Sequence, residues 1–217
     1  GKIAVIAKGA RKPKSKFAAF LVPGQMLEVI YYMKQTRQVQ TLSDTSYLQK
    51  LDSLRFDVQK MALVTITMEL TDQLLHENEV NEPLFQFLSV MLPWLNEQDS
   101  VSKIMFPYIQ IRLAQLLGIG IQNIIEEHDA SQTGYINVRS GTMSTEAVDS
   151  DSLRLTPGQF QFMNESLGSM KSSIFDIVLT KSELNTLITH LDKYFRYHIE
   201  GVRPRKSDAI FDQLLES

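Results

Sequence analysis

The sequence has no cysteine. That absence excludes a disulfide scaffold, a thiol nucleophile and any zinc or iron–sulfur site built on cysteine. No apolar run approaches the ~20 residues that span a bilayer, and Gly1-Lys2-Ile3-Ala4-Val5 does not open a signal peptide, so the expected compartment is the cytoplasm. Also missing are a phosphate loop ending in Gly-Lys-Ser/Thr, a dinucleotide fingerprint and a paired-histidine metal motif. Gly118-Ile119-Gly120 is too short to count as a nucleotide loop and reads as a helix stop. His76, His190 and His198 have no nucleophile or carboxylate at a telling spacing. Glu126-Glu127-His128-Asp129 could hold a hard cation, but beside a Ser-rich stretch the better reading is a solvated corner. These absences predict a protein that is not an enzyme and carries no metal or cofactor.

What is present is an ordinary globular composition, 217 residues with 43% apolar and 22% charged, enough for one large domain or two small ones. The net charge of -3 conceals an asymmetry. Residues 1–43 hold eight Lys/Arg against one acid, Glu28, whereas the other 174 residues hold 14 basic and 24 acidic side chains. A basic segment joined to an acidic body suggests that one end meets a polyanion.

Organisation changes along the chain. Residues 2–8, 26–33 and 36–42 read as strands, the second apolar on both faces and therefore expected to be buried on both, with Ser43-Asp44 as a closing turn. Three or four strands in so short a span suggest a small barrel or part of one, with a strand or two expected upstream. From Tyr47 the period becomes helical: Leu54, Val58, Met61, Thr65 and Met68 would line one face of a single long helix. Asn81-Glu82-Pro83 opens another helix, which Pro93 should kink or end. Residues 102–117 are apolar nearly all round, as in a central core helix. Residues 129–152 are rich in Ser, Thr, Asp and Gly and read as an exposed connection, with a possible strand at 135–138. Thr180 and Glu183 form a capping box for a helix burying Leu184, Leu187, Leu191, Tyr194 and Phe195. A last helix from about Ser207 should bury Ile210, Phe211, Leu214 and Leu215.

The sharpest local signal is Lys8-Gly9-Ala10-Arg11-Lys12-Pro13-Lys14-Ser15-Lys16-Phe17, five cations within nine positions between two strands. Such a loop can track successive phosphates without reading bases. Of Tyr31 and Tyr32, adjacent on a strand, at most one can offer a stacking face. A second basic cluster, Lys193, Arg196, Arg203, Arg205 and Lys206, is open to two readings: complement to a helix C-terminus, or a further nucleic-acid or partner surface. Arg112 lies in an apolar helix and is either a member of a structural ion pair or a carboxylate receptor.

Residues Gly1 to Arg11 with the Lys/Ser-rich run after them are similar to the barrel signature of the RecO family of bacterial recombination mediators. Three later stretches resemble the same family in order: Met68-Glu69-Leu70 through Pro83-Leu84-Phe85, Leu113 to Gly118, and Tyr197-His198 through Lys206-Ser207. The resemblance implies an α+β protein, with an N-terminal OB-fold β-barrel over 1–45, possibly incomplete, and a mostly helical C-terminal domain over 46–217 that contains the irregular connection near 129–155. It implies binding of single- and double-stranded DNA, strand annealing, and loading of RecA onto DNA coated by single-strand-binding protein. The implied partners are RecR and the C-terminal tail of single-strand-binding protein, with a nucleoid-associated location. The candidate DNA-binding residues are then Lys2, Lys8, Arg11, Lys12, Lys14, Lys16 and Arg37, with Arg112, Lys193, Arg196, Arg203, Arg205 and Lys206 as a possible second DNA or partner surface. Two departures stand out. Many relatives carry a four-cysteine zinc site that residues 119–155 here cannot build, and the family begins with strands upstream of Gly1, so the barrel is expected to be open. A generic OB-fold adaptor outside recombination and a nuclease using Glu126, Glu127 and Asp129 are the rival readings.

Overall fold

The apolar runs near the N-terminus do form strands. In the computed structural model, which describes all residues except 13, 126–131, 169–171 and 217 and omits the side chains of 172 and 214–216, these are β1 (Ala4–Ile6), β2 (Met26–Tyr32) and β3 (Val39–Gln49). They form one open sheet in the order β1-β3-β2, consistent with an incomplete OB-fold. β1 runs parallel to the start of β3, Ala4 opposite Val39, while β2 pairs antiparallel with β3 from Tyr32–Thr41 to Met26–Gln49.

Two expectations for this sheet are corrected. Residues 26–33 are not buried on both faces: Val29, Ile30 and Tyr32 are exposed, because β2 is an edge strand of a three-stranded sheet. Nor does Ser43-Asp44 end a strand at a turn. Ile30 pairs with Asp44 and Tyr31 with Leu42, which leaves Ser43 as the extra residue of a β-bulge, and β3 continues to Gln49. The change to helical structure therefore falls after Gln49, not at Tyr47.

By internal packing the chain divides into two compact units, Gly1–Val101 with Arg205–Ser217, and Ser102–Pro204. The first contains the sheet, α1 (Asp52–Phe56), α2 (Val58–Leu74) and α3 (Glu82–Glu97). The single long helix expected here is two helices, because the Asp57 carboxylate accepts from the backbone N–H of Gln59 and Lys60 and caps a new start. The anticipated stripe is also displaced. Val58 and Met61 are exposed, while Ala62, Leu63, Ile66, Leu70 and Leu74 are buried. Apolar side chains lie nearly all round α2, so periodicity could not select a face. Asn81 caps α3 by accepting from Leu84 N at 3.0 Å, and the helix passes through Pro93 to Glu97, with Leu95 fully buried.

The second unit is built on α4 (Met105–Leu116), buried continuously from Met105 to Ile111 and stopped at Gly118, φ 77°. Residues 129–152, expected to be an exposed connection with a possible strand at 135–138, instead contribute to a sheet of β4 (Gln122–Asn123), β5 (Gly134–Asn137), β6 (Thr142–Ser144) and β7 (Leu153–Leu155) in the order β4-β6-β5-β7, with β5 at the expected strand. Its central polar residue is internal. The fully buried Asn137 amide donates to Ser144 Oγ at 2.6 Å, and its carbonyl accepts from Ser152 Oγ at 2.7 Å and Val148 N at 3.1 Å. Gly134 lies so close to the Phe160 ring that a Cβ there would meet it at 2.2 Å. Against this sheet lies α5 (Pro157–Leu167), capped by Thr156 and Gln159, and next comes α6 (Lys181–His198), capped by the predicted Thr180–Glu183 box. Glu183 also accepts from Thr156 Oγ1 at 2.7 Å. The Thr156 hydrogen bond, with those from Thr180, holds its carboxyl below the ordinary glutamate range. The five predicted inward residues of α6 are all buried. Tyr194 donates to Ile119 O at 2.8 Å, and burial pushes its phenol up to about 12.

The last helix, α7 (Asp208–Glu216), returns to the first unit against α2. Phe211 is buried as expected, whereas Ile210 is exposed because it lies on the solvent side of the helix; the Leu214 and Leu215 side chains lie outside the described residues.

The Asn137 hub generates a stability prediction. Asn137→Ala should lower the unfolding free energy by about 2–3 kcal/mol in urea denaturation followed by circular dichroism, since it removes the hydrogen bonds of one buried amide to Ser144, Ser152 and Val148. Thr142→Ala, which removes a 3.4 Å contact to the same amide and an exposed 2.8 Å hydroxyl pair with Ser140, should cost under about 1 kcal/mol. Equal costs would show that Asn137 is not the hub.

Candidate nucleic-acid interface

The basic loop between β1 and β2 is a chain of tight turns, not an extended arm. Ala10 N donates to Ala7 O, Lys12 N to Gly9 O and Ser15 N to Lys12 O, with Gly9 at φ 77°; Pro13, expected to keep the middle extended, lies outside the described residues. The loop is anchored at its far end. Phe17 is buried, Tyr47 on β3 donates to Ala19 O at 2.8 Å, and the Phe20 and Tyr47 rings meet in a tilted contact at 4.6 Å. Lys16 is spent on this anchoring, pairing with Asp44 at 2.8 Å and lying 5.0 Å from the Phe17 ring. Its hydrogen bond and charge hold the Asp44 carboxyl below the ordinary aspartate range.

Lys8, Arg11, Lys12 and Lys14 are exposed and pair with no acid among the described residues. Coiling places them on successive turns of one short segment, a geometry that can meet several phosphates at once. Arg37 sits in the β2–β3 connection, where the buried Gln40 side chain clamps the turn by accepting from Lys34 N at 2.8 Å and donating to Arg37 O at 2.7 Å. Lys34 is equally exposed there and was not singled out from the sequence; nothing in the charge pattern separated it from its neighbours. Tyr32 is 66% exposed and Tyr31 half-buried, so the outward ring is Tyr32.

Lys2 has a different position. Its ammonium donates to Asp72 O at 2.6 Å and Leu75 O at 3.3 Å and pairs with the Asp72 carboxylate at 2.9 Å, closing the C-terminal end of α2. Arg112, half-buried on α4, donates to Gln115 Oε1 at 2.7 Å and has no ion pair among the described residues.

The second basic cluster is divided. Lys193 and Arg196 are exposed on α6 and Arg203 is exposed beyond it, all in the second unit. Arg205 is 6% exposed and pairs with Asp208 at 2.8 Å in the first unit. Lys206 N and Ser207 N donate to the Glu69 carboxylate at 2.8 and 2.9 Å, so Glu69 caps α7 across 137 residues of sequence. Burial raises the Glu69 pKa, but the Ser207 and Lys206 hydrogen bonds outweigh it and the carboxyl sits below its ordinary value. The acids proposed for a rival metal site, Glu126, Glu127 and Asp129, lie outside the described residues. No described helix is long and apolar enough to cross a membrane.

Comparison with known proteins covers both parts of the chain. The family model described as recombination protein O N terminal matches residues 1–50, and that described as recombination protein O C terminal matches residues 55–208. A relative from Chlorobium phaeobacteroides, named DNA repair protein RecO, is 22% identical over 230 residues, 99% of this chain and 88% of that protein. One of the same name from an Exiguobacterium species is 25% identical over 217 residues, 99% of this chain and 86% of the relative. Another from Salinibacter ruber is 38% identical over 122 residues, 55% of this chain and 46% of the relative.

Geometry separates structural from free cations, and stability measures the difference. Lys2→Ala should lower the unfolding free energy by about 1–2 kcal/mol, through lost bonds at the α2 terminus. Lys12→Ala should change it by no more than about 0.5 kcal/mol. Similar effects in thermal melts of both variants would contradict the division.

Proposed function

The chain belongs to the RecO family of DNA repair proteins, and from that premise we propose that it binds single- and double-stranded DNA, anneals complementary strands and, with RecR, helps load RecA onto DNA coated by single-strand-binding protein. The observation that carries this reading is the set of four exposed cations, Lys8, Arg11, Lys12 and Lys14, that pair with no acid among the described residues and lie on one anchored loop of the unit that also exposes Tyr32. In this reading residues 1–45 are the DNA-binding domain and 46–217 the helical domain. Lys16 and Lys2 support the loop and its sheet, Arg37 and Lys34 extend the cationic edge, and binding is indifferent to base sequence because backbone contacts carry it.

Two measurements test the DNA contact. If three to five phosphates are neutralised, the log–log salt slope on single strands should be about -2 to -3.5. Simultaneous Arg11→Glu, Lys12→Glu and Lys14→Glu should remove most binding while leaving the melting temperature unchanged, since exposed loop charges contribute little stability. The mediator activity itself is tested by annealing complementary strands already coated with single-strand-binding protein. Acceleration that the triple variant loses supports the reading. Binding of bare DNA without acceleration on coated strands would favour a generic OB-fold adaptor.

The partner tail is acidic and ends in an apolar residue with a free carboxylate, which pairs best with an arginine beside apolar surface. Arg112 supports this role, since its side chain meets an amide rather than an acid on an otherwise buried helix. Arg112→Ala should weaken a labelled tail peptide by about 1.5–3 kcal/mol in fluorescence anisotropy, with DNA binding untouched. Wild-type peptide affinity in the folded variant would leave Arg112 a structural residue and overturn this tail site.

A further inference from the structure

Near the end of α6 an aromatic ring is left outside the core. Tyr197 is 55% exposed, although isolated exposed aromatics are common and need no explanation. What distinguishes this ring is that it is held. His198 contacts it edge-on at 5.0 Å, with the planes at 79°. The imidazole is itself fixed by Nε2 to Val138 O at 2.8 Å and by the buried Tyr194 ring at 4.4 Å. An immobilised exposed ring is a poor way to satisfy a monomer's surface and a good way to receive a flat ligand, because little side-chain freedom is lost on stacking.

The charges around it are arranged in the same sense. Lys193 lies one turn earlier on the same helical face, and Arg196 is adjacent; both are exposed and neither has an acid partner among the described residues. The acids of the neighbouring β-segment, Asp149 and Asp151, are engaged by Arg139, which pairs with Asp151 at 2.5 Å and lies 3.9 Å from Asp149. Glu200 is the one exposed acid left in the following turn.

We propose that the second unit carries its own single-stranded nucleic-acid contact, in which an unpaired base stacks on Tyr197 while flanking phosphates meet Lys193 and Arg196. This rests on the DNA-binding function proposed above and adds a site that the charge pattern alone did not define. A single strand is the occupant, because a duplex keeps its base faces stacked internally and offers the ring nothing. Phosphate attraction by two lysine or arginine side chains without an aromatic face would be shared by duplexes, so the ring makes the contact selective for unpaired bases.

The test uses the full chain and oligothymidine carrying 5-iodouracil, photocrosslinked and mapped by mass spectrometry, together with affinities from anisotropy. An adduct at Tyr197 is expected, and it should persist at raised protein concentration in the Arg11→Glu, Lys12→Glu, Lys14→Glu variant. Tyr197→Leu should weaken the single strand by about fivefold or more, Tyr197→Trp should preserve it, and a duplex of equal length should be bound equally by all three. Wild-type single-strand affinity in Tyr197→Leu, or adducts confined to the N-terminal loop, would overturn the proposal. Failure of the unsubstituted chain to bind any oligonucleotide at low salt would instead overturn the DNA-binding function, and this contact with it.

Discussion

The N-terminal site depends on one strand. β3 pairs with both other strands of its sheet, bears the bulge at Ser43, and supplies both side chains that anchor the cationic loop, Asp44 and Tyr47. A loop of five cations resists being folded tightly, since like charges brought together repel. β3 resolves this with a single ion pair at the loop's end. Asp44 takes Lys16, the Tyr47 hydroxyl takes a backbone carbonyl, and Phe17 and Phe20 supply apolar contact. Lys8, Arg11, Lys12 and Lys14 keep their charge for solvent or a ligand. A second acid on β3 would steady the loop further and remove the property that makes it useful.

The C-terminal part of the chain obeys a related constraint. Arg205, Lys206 and Ser207 enter α7 with backbone N–H groups that need acceptors, and the residue supplying them is Glu69, on α2. Arg205 is held inside by Asp208. A stretch that is continuous and basic in sequence is therefore used in two ways: its first three cations remain exposed in the second unit, and the rest help to close the first.

How much of this was legible follows from range. The Thr180–Glu183 capping box, the inward face of α6 and the buried α4 were readable because each depends on residues close together in sequence. The RecO relationship and the α+β class were legible from short ordered motifs. The extent of β3 was not, because Ser43 and Asp44 carry a turn's composition and only pairing with β2 makes them a bulge. The second sheet was hidden for the same reason: Asn137, Ser144 and Ser152 look like loop residues until they satisfy one another in the interior. Lys2 was indistinguishable from a free cation, since its backbone partners lie 70 and 73 residues away; Arg205 pairs with Asp208 only three positions on, but nothing local showed that this arginine is the buried one of its cluster. Charge counting finds where cations are; only packing shows which of them are free.

That distinction bears on how the protein would meet DNA. The chain outside residues 1–43 carries ten more acids than bases, and a nucleic acid backbone approaching it at random meets mostly repulsion, felt within a Debye length of about 8–10 Å. Attraction is confined to places where cations are left unpaired. On the first unit that place is the anchored loop. On the second, in the contact proposed above, it is the exposed face of α6, where Arg139 already engages Asp149 and Asp151 of the neighbouring β-segment. An acidic body with a few free cationic faces gives up overall affinity, but it fixes which surfaces a strand can occupy and keeps contact reversible with salt. Reversible contact of this kind suits the strand annealing proposed for this chain, in which two strands are held while their bases pair and the product is then released.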